Sequence, residues 1–126
     1  MLALWPAADN RHALALPATQ SAAPAVDPTA ASRLDSMALG RSLLEAYQCG
    51  ACHRIDGVSG AQGTQGPALL QWRQRSYIAG QLPNTPLALQ AWIIDPSGLV
   101  PGTPMPAMGV TQHDARQMAA YLLRPE

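Results

Sequence analysis

The sequence predicts an all-α fold, and three observations lead to this expectation. Three segments carry apolar residues at three- and four-residue spacing, no segment shows the alternation of a strand, and the connecting stretches are rich in Gly and Pro. Long loops in a chain of 126 residues need something to wrap around. We therefore expect three main helices and long loops arranged around one core.

The first helix is expected over about 33–49, because apolar residues recur at helical spacing from Leu34 to Tyr47. Residues 54–84 contain many Gly and Pro residues, which leaves room for little more than a turn near 69–73. This stretch is predicted to be one long loop.

Two further helices have clear start signals. Thr85 offers an N-cap and Pro86 suits the first helical position, so the second helix is expected over 86–95. The third begins near Thr111, where Thr-Gln-His-Asp resembles a capping box, and its apolar face continues to Leu123.

Residues 1–31 are rich in Ala and Pro and lack a sustained period, which predicts an extended arm or linker before a domain at 32–126. A docking arm and an inert tail both fit this composition. The start at Met1 has no basic segment followed by a long apolar one, so no export signal is recognised. No apolar run reaches the length of a membrane span.

The charge pattern argues against a polyanionic partner. Eight Arg, no Lys and eight acidic residues give a formal net charge of zero, and the charged residues are scattered without runs. A basic surface of the kind that binds nucleic acid or an anionic membrane is therefore not expected.

The strongest chemical signal is Cys49-Gly50-Ala51-Cys52-His53. In a Cys-x-x-Cys-His segment the two thiols can add to the two vinyl groups of a haem, while the adjacent imidazole binds the iron from one face. A thioredoxin-like redox pair would need a βαβ setting, and zinc would need ligands that this chain does not supply. The spacing therefore predicts one covalently attached haem c.

The sixth iron ligand is predicted in the loop before the third helix. A low-spin electron carrier needs a strong-field ligand opposite His53, and a thioether there raises the reduction potential. Met105 ranks first because the neighbouring Pro104 and Pro106 restrict its backbone. Met108 ranks second, and His113, which would give bis-histidine ligation, ranks third.

From about Gly40 to Leu123 the chain resembles the class I cytochrome c family. The resemblance rests on the haem motif and on four further segments: Gly40-Arg41-Ser42-Leu43-Leu44, Gly66-Pro67-Ala68-Leu69, Pro101-Gly102-Thr103-Pro104-Met105-Pro106 and Met118-Ala119-Ala120-Tyr121-Leu122. It implies the cytochrome c fold, in which long loops wrap around one covalent haem.

The resemblance also implies roles for individual residues. Gly40 and Tyr121 would meet where the first and last helices cross, and the Pro67 carbonyl would orient the His53 ring. Arg75 would face a haem propionate, Trp72 or Tyr77 would add a ring donor, and Trp92 would lie on the methionine side. The residues implied to bind the cofactor, besides Cys49, Cys52, His53 and Met105, are Pro67, Leu69, Trp72, Arg75, Tyr77 and Trp92.

Residues 75–86 and 92–96 are similar to cytochrome c domains associated with subunit II of bacterial haem-copper oxidases. This implies a periplasmic one-electron carrier of a respiratory chain that exchanges electrons with a terminal oxidase or a quinol-oxidising complex. Soluble members often carry a ring of Lys for transient docking, and this chain has no Lys. A bound subunit, touching the membrane only through its partner, is therefore expected rather than a mobile shuttle.

Two other functions use the same motif. The chain could be the electron-accepting subunit of a periplasmic dehydrogenase, which the sequence does not separate from delivery to an oxidase. It could also be a haem enzyme or small-ligand sensor with an open iron site, although no distal acid–base group is evident. An electron-transfer protein that is not itself an enzyme remains the expectation.

Overall fold

The computed structural model describes residues 27–125, and the part of the proposed arm at 1–26 lies outside them. Among these described residues, four α-helices follow in chain order: α1 Pro28–Ala46, α2 Pro86–Ile94, α3 Pro96–Leu99 and α4 Gln112–Leu122. Two short antiparallel strands, β1 Tyr77–Ile78 and β2 Leu82–Pro83, form a sheet, and an isolated β-bridge joins Arg54 and Gln62. The predicted all-α fold is confirmed.

Helix α1 begins earlier than predicted. Asp27 is its N-cap, with the carboxylate accepting from Thr29 N at 2.9 Å, and Pro28 occupies the first helical position. Residues 28–31, assigned from the sequence to an extended arm, therefore belong to the helix. The assignment was wrong because the Asp-Pro-Thr helix start lies within an Ala/Pro-rich stretch, and that composition is typical of a linker.

Helices α2 and α4 begin as predicted. Thr85 Oγ1 accepts from Ala88 N at 3.1 Å, and Thr111 Oγ1 accepts from Asp114 N at the same distance. Helix α1 ends at Ala46 rather than near 49, because Gln48 takes a left-handed conformation with φ 59°. Cys49 consequently starts a short 3₁₀ turn, Cys49–Ala51, instead of continuing the helix.

The core forms where α1 and α2 pack against α4, and it extends into the loop after the haem motif. Its buried side chains are Leu44, Ile55, Val58, Ala61, Trp72, Ile78, Leu89, Trp92, Ile93, Val110, Ala115, Met118, Ala119, Tyr121 and Leu122. Within residues 27–125, every buried side-chain nitrogen or oxygen has a hydrogen-bond partner.

Helices α1 and α4 cross closely at Gly40. A Cβ atom built there would overlap the main-chain carbonyl of Gln117 and would stand 3.0 Å from the Cβ of Tyr121. Only Gly permits this approach without displacing backbone. The contact between Gly40 and Tyr121 that the resemblance implies is therefore present.

None of the helices among the described residues combines the length and apolar character needed to cross a membrane.

Candidate haem site

The two cysteines and the histidine of the motif are brought together by the turn that follows α1. His53 N donates to Cys49 O at 3.0 Å, and Cys52 N donates to the same carbonyl at 3.3 Å. Both thiols are free and half-buried. Burial raises the pKa of the Cys49 thiol. Two thiol sulfurs and one imidazole are thus presented by a single turn of five residues.

The His53 ring is oriented by a backbone carbonyl. Its Nδ1 lies 2.7 Å from Pro67 O. Because a carbonyl oxygen only accepts, Nδ1 carries the proton, and the lone pair of Nε2 is available to a metal. A carbonyl partner of this kind also makes the imidazole a more basic ligand. This is the contact that the resemblance implies for Pro67.

The segment carrying Pro67 is held against the haem motif by main-chain hydrogen bonds. Gly66 N donates to Cys52 O at 2.7 Å, and Leu69 N donates to Arg54 O at 2.8 Å. Gly66 also packs directly on the imidazole, since a Cβ there would come within 2.7 Å of His53 Nδ1. The loop at 66–69 therefore forms a fixed support behind the ring.

The three candidates for the sixth ligand differ in burial. Met105 is half-buried and packs against the core, and its amide lies 3.4 Å from Thr103 Oγ1. Met108 is 45% exposed, and His113 is exposed on the first turn of α4. Of the three, Met105 is the one that packs against the core. Ligation itself stays a prediction.

Arg75 and Trp72 form a unit beside the loop at 66–69. Arg75 Nη2 donates to Ala68 O at 2.8 Å, and its guanidinium stacks 4.9 Å from the centre of the Trp72 ring. Trp72 is buried, and its ring N–H donates to Asn84 Oδ1 at 3.1 Å. The single donor of Trp72 is therefore occupied within the protein, which leaves Tyr77 as the ring donor implied for a propionate.

The other residues implied to line the cofactor are placed as follows. Tyr77 is 60% exposed on β1, so its hydroxyl is accessible at the surface. Trp92 is buried on α2, and Leu69 is half-buried against the core. Their contact with a haem stays a prediction.

Sequence reasoning missed Asn84. Its side chain bonds the Trp72 ring, and its Nδ2 donates to Trp72 O at 3.0 Å and to Arg75 O at 2.9 Å. Asn84 thus fixes both residues of the unit described above. An Asn in a Pro-rich loop is an ordinary turn residue, and nothing local in the sequence indicates partners twelve positions away.

A model of the cytochrome c family matches residues 37–124, which is most of the chain. The chain belongs to the cytochrome c family. Membership implies haem c as the cofactor and electron transfer as the function. The donor set on this turn fits that cofactor, because two cysteines outside any disulfide stand beside an imidazole whose Nδ1 is held by Pro67 O, so that Nε2 is the nitrogen for a metal.

One relative links this cytochrome c domain to a larger protein. Cytochrome c oxidase subunit 2 of Alkalihalophilus pseudofirmus is 38% identical over 84 residues, which is 66% of this chain and 24% of the relative. The chain thus spans about a quarter of the length of that relative. No solved structure matches the chain.

Proposed function

We propose that this protein is a periplasmic one-electron carrier of a respiratory chain. It binds one haem c through thioether bonds from Cys49 and Cys52, with His53 and Met105 as the axial ligands. It delivers electrons to a haem-copper terminal oxidase, as a subunit or bound partner of that complex.

The contact between His53 Nδ1 and Pro67 O carries this proposal. At 2.7 Å it selects the tautomer that leaves Nε2 free, and it does so on the same turn as the two thiols. The arrangement suits an imidazole that must hold one orientation towards iron.

When bound, the haem supplies an iron that alternates between the ferric and ferrous states. The protein's own residues keep the ligands still while this happens. His53 is braced by Gly66 and Pro67, and the half-buried Met105 is constrained by a Pro on each side. Ligands that do not move between the two states allow rapid electron transfer with little reorganisation.

Two observations support an oxidase as the partner. The relative described above is named as a subunit of cytochrome c oxidase, and the cytochrome c family model matches residues 37–124 of this chain. The chain also has no Lys and no net charge, so long-range electrostatic steering to a distant partner is weak. A carrier held at its acceptor has no need of such steering.

The cofactor proposal is tested by the mass of the protein purified from a host that matures c-type cytochromes. We expect a gain of one haem that survives acid–acetone extraction, because thioether bonds resist extraction. Cys49→Ala and Cys52→Ala would each leave a single bond. An apo mass for the wild-type chain would overturn the proposal.

The partner proposal is tested by copurification of the tagged chain from its native membrane after mild solubilisation. Recovery with haem-copper oxidase subunits, together with oxygen uptake that stops when the chain is depleted, is the expected result. Recovery with a dehydrogenase instead would overturn the oxidase assignment and leave the haem assignment standing.

A further inference from the structure

Tyr47 and Asp114 join the two halves of the chain that carry the proposed iron ligands. The Tyr47 hydroxyl donates to Asp114 Oδ2 at 2.7 Å, across 67 positions of sequence, and both residues are half-buried. A hydrogen bond from a phenol to a carboxylate is stronger than one between neutral groups.

On one side, this contact is tied to the haem-attachment turn. Tyr47 is the C-cap of α1, and its amide donates to Leu43 O at 2.9 Å. The next residue, Gln48, has the left-handed conformation that directs the chain into the turn of Cys49. The position of Tyr47 is therefore fixed relative to the residues that attach the haem.

On the other side, the contact is tied to the end of the methionine loop, residues 100–110. Asp114 lies on the first turn of α4, and its amide N–H donates to the hydroxyl of the N-cap Thr111. Val110, directly before that cap, is buried. Whatever holds this end of α4 in place also holds the end of the loop.

The loop has few other restraints on that side. Its first part is held by Val100 N to Pro96 O at 2.9 Å, Thr103 N to Val100 O at 3.2 Å, and the contact of Met105 N with Thr103. In the described part of the chain, residues 106–110 make no hydrogen bond of their own. The C-terminal half of the loop therefore depends on α4 for its position.

We infer that Tyr47 and Asp114 are positioning residues that keep the methionine loop closed, with Met105 in place as the axial ligand. The inference rests on the proposed ligation by His53 and Met105. Without the hydrogen bond, the loop opens more often, and the sixth coordination position becomes available to small ligands. The apparent affinity for such a ligand rises in proportion to the open fraction.

Imidazole binding to the ferric holoprotein measures this opening, because imidazole can bind only where the methionine has left. We expect Tyr47→Phe to lower the Kd for imidazole roughly ten-fold, the factor that corresponds to loss of one charge-assisted hydrogen bond. The matched control is Tyr121→Phe, which removes a phenol hydrogen bond to Asp56 O of 2.6 Å at the far end of α4. This control should bind imidazole as the wild type does.

A second set of variants tests the partner. Asp114→Ala should resemble Tyr47→Phe, whereas Asp114→Asn keeps a neutral oxygen acceptor for the hydroxyl and should have a Kd for imidazole between those of the wild type and Tyr47→Phe. The double variant Tyr47→Phe with Asp114→Ala should bind imidazole no more tightly than either single variant. Circular dichroism at the titration temperature shows that each variant is folded.

The outcomes separate this inference from the proposal it rests on. If the wild-type ferric spectrum lacks the methionine-to-iron charge-transfer band, the proposed ligation fails. If the band is present and Tyr47→Phe binds imidazole no more tightly than Tyr121→Phe, the positioning role is overturned. The positioning role would also be overturned if the effects of Tyr47→Phe and Asp114→Ala on the Kd for imidazole were additive in the double variant.

Discussion

Gly40 and Tyr121 lie where helices α1 and α4 cross, with 3.0 Å between the Cβ of Tyr121 and the place that a Cβ on Gly40 would occupy. Helix α1 directly precedes the haem-attachment turn, and helix α4 directly follows the methionine loop. The crossing therefore sets the distance between the two segments that carry the proposed ligands.

Gly40→Ala is expected to destabilise the protein by about 1–3 kcal/mol, because the added methyl group would overlap the backbone carbonyl of Gln117. Helix propensity alone predicts the opposite sign, a gain of about 1 kcal/mol for Ala over Gly. The free energy of unfolding in urea decides between them. A variant more stable than the wild type would show that the helices do not approach this closely.

The local parts of this structure could be predicted from the sequence, because their signals are contiguous. The haem motif occupies five consecutive residues, and the starts of α2 and α4 are each encoded by a Thr cap and its neighbours. The start of α1 was missed, although Asp27 and Pro28 carry the same kind of signal, because the surrounding composition favoured a linker.

The long-range contacts could not be predicted from residue patterns alone. The bonds of Tyr47 to Asp114 and of Asn84 to Trp72 join residues with no periodic relationship, and each depends on the packing that brings them together. The contact of His53 with Pro67 was expected only because the chain resembles a known family. Spacing shows which residues are available, and tertiary packing decides which of them meet.

Met105→Ala is expected to abolish the charge-transfer band that a methionine ligand gives the ferric haem. The reduction potential should fall by on the order of 0.1 V, a small part of the roughly 0.8 V range that axial ligands span. Absorption spectra and redox titration measure both effects. Met108→Ala and His113→Ala are the controls and should keep the band, since both residues are more exposed than Met105. Loss of the band in Met108→Ala alone would reassign the ligand.

Gly66→Ala is expected to raise the reduction potential. The new Cβ would overlap the His53 ring, with Nδ1 only 2.7 Å away, so we expect the ring to shift and its hydrogen bond to the Pro67 carbonyl to weaken. An imidazole without this partner is less basic and stabilises ferric iron less. Gly60→Ala is the control. Its φ of 70° makes the substitution destabilising, but no atom lies within 4 Å of the added Cβ, so the His53 ring should not move. Equal potentials for the two variants would argue against a tuning role for the carbonyl.

Asn84→Ala is expected to destabilise the protein by about 2–3 kcal/mol, since it removes three hydrogen bonds and leaves the ring N–H of the buried Trp72 without its acceptor. Urea unfolding followed by tryptophan fluorescence gives the value. Gln81→Ala, an exposed change in the same hairpin, should cost less than about 0.5 kcal/mol. Similar losses in both variants would mean that Asn84 does not organise this region.

The hydrogen bond of Tyr47 gives a pH dependence that can be checked. The bond to Asp114 raises the pKa of Tyr47 above its usual 10.0, with smaller contributions from burial and from the carboxylate charge and an opposing one from the Thr111 backbone. A group whose pKa is raised by folding stabilises the folded state fully below its unfolded pKa. That stabilisation is lost as the pH rises through the folded pKa.

The stability difference between the wild type and Tyr47→Phe should therefore be constant from neutral pH to about pH 10 and should shrink at higher pH. Above that range the phenolate would face the Asp114 carboxylate, and the phenol can no longer donate. Urea unfolding of both proteins at a series of pH values measures the difference. Since Phe does not titrate, a difference that grows above pH 10 would mean that folding lowers the pKa of Tyr47 and that the bond to Asp114 is absent in solution.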